Sequence, residues 1–271
     1  MRKKSRLGYF DIPFVVELVS SGFGDDDQSL RIFQYCLGND NDDSPFEIIK
    51  KNVDPVFAAL SGRFSVVRWL YHHMDAEADA KVLMSMCEAA AKGGHLEILK
   101  WLRENGCPWD MYTCSYAAEG GKLECLMWAR ENGCPWGANT CSHASLNGQL
   151  HCLRWARENG CPWDTTTCSF AAWFGHLDCL VWARENGCPW NNVACTFAAW
   201  YGHLECLKWL HENGCPWNES VCSSAAEKGH LACLKWAREN GCPWDRSTIR
   251  EADRNGHLEC LQWARDNGCP E

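Results

Sequence analysis

A four-residue phrase, Asn-Gly-Cys-Pro, ends at Pro108, Pro135, Pro162, Pro189, Pro216, Pro243 and Pro270, and each copy follows the previous one by 27 residues. The surrounding residues keep the same phase. A tryptophan precedes each tetrad (Trp101, Trp128, Trp155, Trp182, Trp209, Trp236, Trp263), and another follows all but the last (Trp109, Trp136, Trp163, Trp190, Trp217, Trp244). Seven copies in one phase make each unit a structural module. Such a chain grows one module at a time, so its 271 residues do not set a domain count.

Each module carries its own start and stop signals. Asp110, Gly137, Asp164, Asn191, Asn218 and Asp245 stand just after the second tryptophan, and all are residue types that open helices. About ten residues later Gly121, Gly148, Gly175, Gly202, Gly229 and Gly256 can close that helix in the left-handed conformation. A second helix starts at once. In one copy Leu204, Cys206, Leu207, Trp209 and Leu210 form its apolar face, while Glu205, Lys208, His211 and Glu212 fill the other positions. Asn213-Gly214-Cys215-Pro216 ends it, because proline cannot continue a helix.

Two short helices cannot bury their apolar stripes alone, so successive pairs must stack into a continuous core with function on the surface. Upstream, Ala58-Ala59-Leu60-Ser61-Gly62 and Val66-Val67-Arg68-Trp69-Leu70 form a diverged copy. Trp69 to Trp101 spans 32 residues, so this junction carries five extra residues, expected in the acidic linker Asp75 to Asp79. Residues 1–54 are expected to be an N-terminal cap or degenerate repeat, with Leu30–Gly38 resembling a second helix, and residues 55–271 the array of about eight helix pairs. The final unit adds charge, with Ile249 in place of cysteine and Arg250, Glu251, Asp253 and Arg254 alongside, as a terminal repeat facing water requires.

Composition narrows the function classes. The 26 Lys and Arg against 35 Asp and Glu leave a formal charge of −9, which argues against sequence-independent binding of phosphate backbones. Twenty cysteines suggest a disulfide scaffold only in a short secreted chain. Here the basic start, Met1 to Arg6, is followed by an apolar stretch broken by Asp11, Pro13 and Glu17, unlike a secretory signal. No apolar run is long enough to span a bilayer. The expectation is a soluble, intracellular, cytoplasmic protein with reduced thiols and no membrane partner.

Ala171-Ala172-Trp173-Phe174-Gly175-His176-Leu177-Asp178-Cys179-Leu180, with Glu185-Asn186-Gly187 further on, resembles the ankyrin repeat: two alanines, two variable residues, Gly-His, then an apolar helix. The resemblance covers roughly residues 55–268 and departs at the opening turn, where Thr167-Cys168-Ser169 stands. It implies an all-α, right-stacked helix-turn-helix solenoid. The ankyrin period is about 33 residues, so modules of 27 are short by about six in the segment where the family carries a β-hairpin finger. Losing the finger implies short loops and a greater share of binding for the inner helix face.

Cysteine, histidine and tryptophan each invite a chemical reading. By alignment with the family Cys168, Cys179 and Cys188 stand at core positions, and free cysteine packs as a small hydrophobe. Stacked helices lie about 8–10 Å apart, beyond the roughly 7 Å Cα limit for bridging equivalent cysteines. Closed tetrahedral metal spacing is also missing, since no Cys-x-x-Cys pair occurs. His95, His176, His203, His230 and His257 each follow a helix-ending glycine and give way to Lys122 and Gln149 in two modules, which reads as turn stabilisation. No phosphate loop, nucleophile elbow or zincin pair is present. The tryptophan ladders read as packing between modules. No catalytic residue, cofactor or metal is expected.

Recognition should use positions that vary while the frame holds. The two residues before each second-helix turn read Glu119-Gly120, Leu146-Asn147, Trp173-Phe174, Trp200-Tyr201, Glu227-Lys228 and Arg254-Asn255. In the family this end of the first helix lines the concave surface. Trp173, Phe174, Trp200 and Tyr201 thus form an aromatic cluster flanked by Glu227, Lys228 and Arg254, an apolar centre with a charged rim. The reading is a monomeric, non-enzymatic scaffold that binds a protein partner; the alternative is a metal-buffering or thiol-redox protein using the repeated cysteines.

Overall fold

The computed structural model describes residues 53–75 and 77–271. The expected N-terminal cap, including Leu30–Gly38, lies almost wholly outside the described residues. Among the described residues, regular secondary structure is helical throughout, in eight successive pairs and without a strand. The chain divides into two compact units, one reaching Trp109 and one from Asp110 to Glu271.

The first unit contains α1 (Pro55–Leu60), α2 (Phe64–His72), α3 (Ala80–Gly93) and α4 (Leu96–Glu104). Asp54 caps α1 by accepting the Val56 N–H at 2.9 Å, with proline opening the first turn where a missing donor costs nothing. The acidic linker closes on itself. The Asp75 carboxylate accepts the Glu77 and Ala78 N–H groups, each at 2.9 Å, and the Asp79 carboxylate accepts the Asp75 N–H at 3.0 Å. The insertion expected in this linker mostly lengthens the following helix: α3 has 14 residues, where the equivalent helix of the next module has nine. The added turn, Ala80-Lys81-Val82-Leu83, contains good helix formers and buries Leu83, which favours extending the helix over the loop.

The second unit alternates first and second helices: α5 (Met111–Glu119), α6 (Leu123–Glu131), α7 (Ala138–Leu146), α8 (Leu150–Glu158), α9 (Thr165–Phe174) and α10 (Leu177–Glu185). It continues with α11 (Asn192–Trp200), α12 (Leu204–Glu212), α13 (Glu219–Glu227), α14 (Leu231–Glu239), α15 (Arg246–Arg254) and α16 (Leu258–Asp266). Five of the six first helices are capped as their sequence requires. Asp110, Asp164, Asn191, Asn218 and Asp245 accept the N–H two residues on at 2.8–3.2 Å. Each such cap stabilises by about 0.5–2 kcal/mol relative to alanine. Gly137 holds the same extended backbone without a side-chain bond.

Second helices end in a Schellman motif. Gly187 has φ +85°, its N–H donates to the Arg184 carbonyl at 3.0 Å, and the Cys188 N–H reaches back to the Ala183 carbonyl at 2.9 Å. Pro189 then prevents another turn.

Side-chain size sets the layer geometry. First helices bury small residues, as in Thr113, Cys114, Ser115, Ala117 and Ala118, so neighbouring first helices pack directly along the whole unit. Second helices bury Leu126, Leu153, Leu180, Leu207 and Leu234, all fully enclosed, against their own first helices and touch one another only lightly. The packed small-residue layer brings the ends of α5, α7, α9 and α11 into one surface.

Candidate partner-binding face

The four aromatic residues expected to form one cluster are placed in two groups. Trp173, at the end of α9, lies 5.4 Å from Phe174 with rings inclined by 10°, and 5.4 Å from Tyr201 with rings inclined by 26°. Phe197 joins at 4.7 Å and Phe170 at 5.8 Å. Trp200 makes no ring contact with these; Lys228 sits over its face, the ammonium 4.5 Å from the ring centroid, and pairs with Glu227 at 3.3 Å. Trp173 and Trp200 are half-buried, whereas Phe174 and Tyr201 are each 42 % exposed and can meet a partner directly. Arg254 is exposed on α15 and joins neither group.

This arrangement follows from the repeat. The residue 28 positions on covers its predecessor: Tyr201 stacks on Trp173, Lys228 on Trp200, and the Asn147 side chain donates to the Glu119 carbonyl at 3.1 Å. The residue 24 positions on flanks the same site, as Phe197 does Trp173 and His143 does Glu119, the latter through a hydrogen bond at 3.0 Å. The surface therefore extends beyond the residues singled out from sequence. Tyr112 and Tyr116 on α5 lie 6.3 Å apart, and Tyr116 meets the His143 ring at 5.7 Å, continuing the aromatic strip toward α9. Tyr112, Tyr116, His143, Phe170 and Phe197 also vary between modules, one and two turns before the pair that sequence reasoning used, and that variation was the available signal.

The histidines after the first-helix glycines do not cap their own second helices; the turn each one steadies is that of the preceding module. Each opens a second helix with no side-chain cap bond. The imidazole instead reaches back one module: His95 Nε2 bonds the Leu60 carbonyl at 2.9 Å, and His203 and His230 donate to the carbonyls of Trp173 and Trp200. The rings lie against the preceding glycines so closely that a Cβ on Gly175 would fall 2.6 Å from His203 Nδ1. Burial holds the His203 and His230 pKa below the ordinary imidazole value. These histidines join consecutive modules.

All described cysteines are buried and free. They fall into two sets. Burial first of all pushes Cys152, Cys179 and Cys206 up to about 12, and the Asp178 carboxylate adds to the rise at Cys179 and Cys206. The other set pairs within a module: the first-helix thiols of Cys114, Cys141 and Cys168 bond to Cys134, Cys161 and Cys188, an arrangement that with burial keeps the first-helix thiols protonated. The later cysteine also donates to the carbonyl of the helix-capping residue, as Cys134 does to Asp110 at 3.2 Å. These thiols sit inside the module and serve as filler. Among the described residues no three His, Cys, Asp or Glu side chains are arranged to hold a metal ion.

The short loops build a second regular feature. Each loop tryptophan meets the second-helix tryptophan of the next module edge-on, as in Trp136–Trp155, Trp163–Trp182 and Trp190–Trp209, with centroids 5.8–6.0 Å apart. An arginine of its own module covers its face: Arg130, Arg157 and Arg184 lie 4.2–4.6 Å from the rings of Trp136, Trp163 and Trp190. In the module of α12, His211 stacks on Trp217 instead, at 3.9 Å. The ladder replaces the missing hairpins as a link between layers.

Comparison with known proteins agrees with this geometry. Residues 168–211 match the family model for ankyrin repeats (many copies). Among solved structures, the human ASB11 ankyrin repeat domain is similar at 20 % identity and a TM-score of 0.52, covering 65 % of this chain and 96 % of that one. No curated protein matches at a significant level. No described helix is long and apolar enough to cross a membrane. Residues 168–211 are therefore similar to ankyrin repeats, and the chain shares the fold of an ankyrin repeat domain.

Proposed function

We propose that the protein is a non-enzymatic scaffold or adaptor, monomeric and cytoplasmic, that binds a protein partner through the face built by the first helices of the second unit. The ankyrin fold is in general a protein-interaction module, and one observation supports this assignment of the face: Phe174 and Tyr201 remain 42 % exposed while Trp173 fixes both rings from behind. Aromatic side chains bring large contact area at low entropic cost, and a supported ring is already in its bound orientation. Lys228 and Glu227 on one side and the Glu119–His143 pair on the other give the strip a polar margin. Such an apolar centre inside a polar rim is where binding energy concentrates.

The test is affinity purification of the full chain with identification of bound proteins by mass spectrometry, repeated with Trp173→Ala combined with Trp200→Ala. The wild-type chain is expected to retain a partner that the double variant loses. A double variant holding every partner at unchanged affinity would refute the assignment.

A further inference from the structure

The recurring tetrad puts glycine directly after asparagine at the end of every second helix from α4 to α16, and each of these asparagines is exposed. This is the peptide step at which an asparagine side chain is most open to attack by its own backbone. Glycine has no Cβ to shield its nitrogen, and nothing lies within 4 Å of the place a Cβ would take on Gly187 or Gly268. The folded module counters that reactivity in three ways. The amide of Asn267 is turned away from Gly268 and donates to the Trp263 carbonyl at 2.8 Å, as Asn186 does to Trp182. The glycine nitrogen is committed too, its N–H donating to the Arg265 carbonyl at 3.2 Å after α16 and to the Arg184 carbonyl at 3.0 Å after α10. Finally, ring closure needs the asparagine Cβ and the glycine nitrogen eclipsed about the Cα–C bond. With ψ at 14° in Asn267 and 16° in Asn186, that nitrogen instead eclipses the asparagine's own backbone nitrogen. Attack therefore waits for the helix end to open.

Modules differ in how readily that happens. Leu180, Ala183 and Cys188 around the end of α10 are fully buried, whereas in the last described module Leu258 is 71 % exposed, Cys269 7 % and Leu261 6 %. A module with a neighbour on one side only opens at lower free energy than one held on both. We propose that Asn267 is a site of self-modification, deamidating through a cyclic imide to aspartate and isoaspartate, while the same tetrad in interior modules stays locked. The Gly268 nitrogen bonds to Cγ of Asn267, the Cγ–Nδ2 bond breaks, and ammonia leaves with the proton of the glycine N–H. Water then opens the imide at either carbonyl, giving aspartate or, with the main chain rerouted through the side-chain carbonyl, isoaspartate. No oxidant or cofactor is consumed. Both products lose the Nδ2 donor that held the Trp263 carbonyl, and both place a carboxylate at the negative end of the α16 dipole. Isoaspartate also lengthens the main chain, so the bonds from the Gly268 and Cys269 N–H groups back into α16 cannot re-form as they were. The modified end stays frayed, and each conversion records an opening.

The repeat supplies its own control, because Asn186 and Asn267 share the following Gly-Cys-Pro and with it the same intrinsic chemistry. The chain of 271 residues is aged under reducing conditions at mildly alkaline pH, both natively and in concentrated urea. Peptide mapping by mass spectrometry follows each asparagine, and an isoaspartyl methyltransferase assay measures the rearranged product. In the native chain Asn267 is expected to convert at least about tenfold faster than Asn186, and urea to bring the two within about twofold of each other. Leu261→Ala loosens the last module and should speed Asn267 at least about threefold while leaving Asn186 unchanged. Asn267→Asp carries one of the products, and its Gly268 and Cys269 amides should exchange hydrogen faster than in the wild-type chain. Equal native rates at Asn186 and Asn267 would overturn the proposal. So would interior asparagines that react no faster in urea than in the folded chain, or an unchanged ratio of the two sites in Leu261→Ala. Should that variant unfold throughout, the wild-type ratio decides.

Discussion

The module of α11 and α12 and that of α15 and α16 share caps, turn and helix lengths, yet they treat equivalent residues differently. Leu204 at the start of α12 is half-buried, while Leu258 at the start of α16 is 71 % exposed. Cys195 becomes Ile249, and Ala199-Trp200 becomes Asp253-Arg254. The interior module meets neighbours on both sides; the last described one meets a neighbour on one side. Secondary structure is therefore local to the module, whereas burial and the character of the surface are properties of the stack.

Core truncation should separate the two modules most. Leu207 is fully enclosed and Leu261 is 6 % exposed. Leu207→Ala is expected to cost about 3–5 kcal/mol, and Leu261→Ala about 2 kcal/mol because the terminal site can relax. Urea unfolding of both variants checks this, and equal losses would break the contrast.

The turn glycines give a cleaner comparison, since Gly202 at φ +76° and Gly256 at φ +74° share one backbone conformation. Alanine at either position pays the left-handed penalty of about 1–2 kcal/mol. At Gly202 the new Cβ would also lie 2.6 Å from His230 Nδ1, whereas at Gly256 nothing lies within 4 Å. Gly202→Ala should thus destabilise by about 1–3 kcal/mol more than Gly256→Ala, as overpacking does; thermal melts of the pair report the difference.

On the binding face, Trp173→Ala with Trp200→Ala should weaken an identified partner at least about tenfold, whereas Arg254→Ala, outside both ring groups, should change affinity less than about threefold. Surface plasmon resonance distinguishes these outcomes. A larger effect at Arg254 would move the centre of the site toward α15.

The smallest effects concern the module junctions. His203 and His230 titrate below the unfolded imidazole value because burial disfavours their charged form. The unfolded chain then binds more protons as the pH falls, so their contribution is complete above the unfolded pKa, about 6.5, and is lost progressively below it. His203→Gln with His230→Gln, which copies the natural Gln149, should flatten the fall of melting temperature between pH 7 and pH 5. At the terminal module, Leu258→Lys should shift stability by less than about 0.5 kcal/mol, as an exposed site allows.

Much of this was legible in the residues because the governing interactions are short-range. Asp164 and Asn191 could be recognised as caps, and Gly187 with Pro189 as a helix end, from chemistry within a few positions. The five-residue insertion is legible as a count, but its place is not, since the helix propensity of Ala80–Leu83 has to be weighed against an acidic turn that looks self-sufficient. The histidines are legible as turn residues, but which turn they steady is not. Their contacts run to the preceding module, 28 or more positions away, as in His203 with Gly175 and His95 with Leu60, where no local pattern points.

By itself the amino-acid order determined the helix pair, its period, its caps and the burial of its cysteines, because backbone hydrogen bonding and apolar periodicity act within 27 residues. Only the tertiary structure decided which side chains meet across modules: Trp173 with Phe197 and Tyr201, Trp200 with Lys228, and each loop tryptophan with the indole of the following layer. Those pairings depend on the offset between stacked layers, which small buried residues on the first helices set through how closely two backbones can approach.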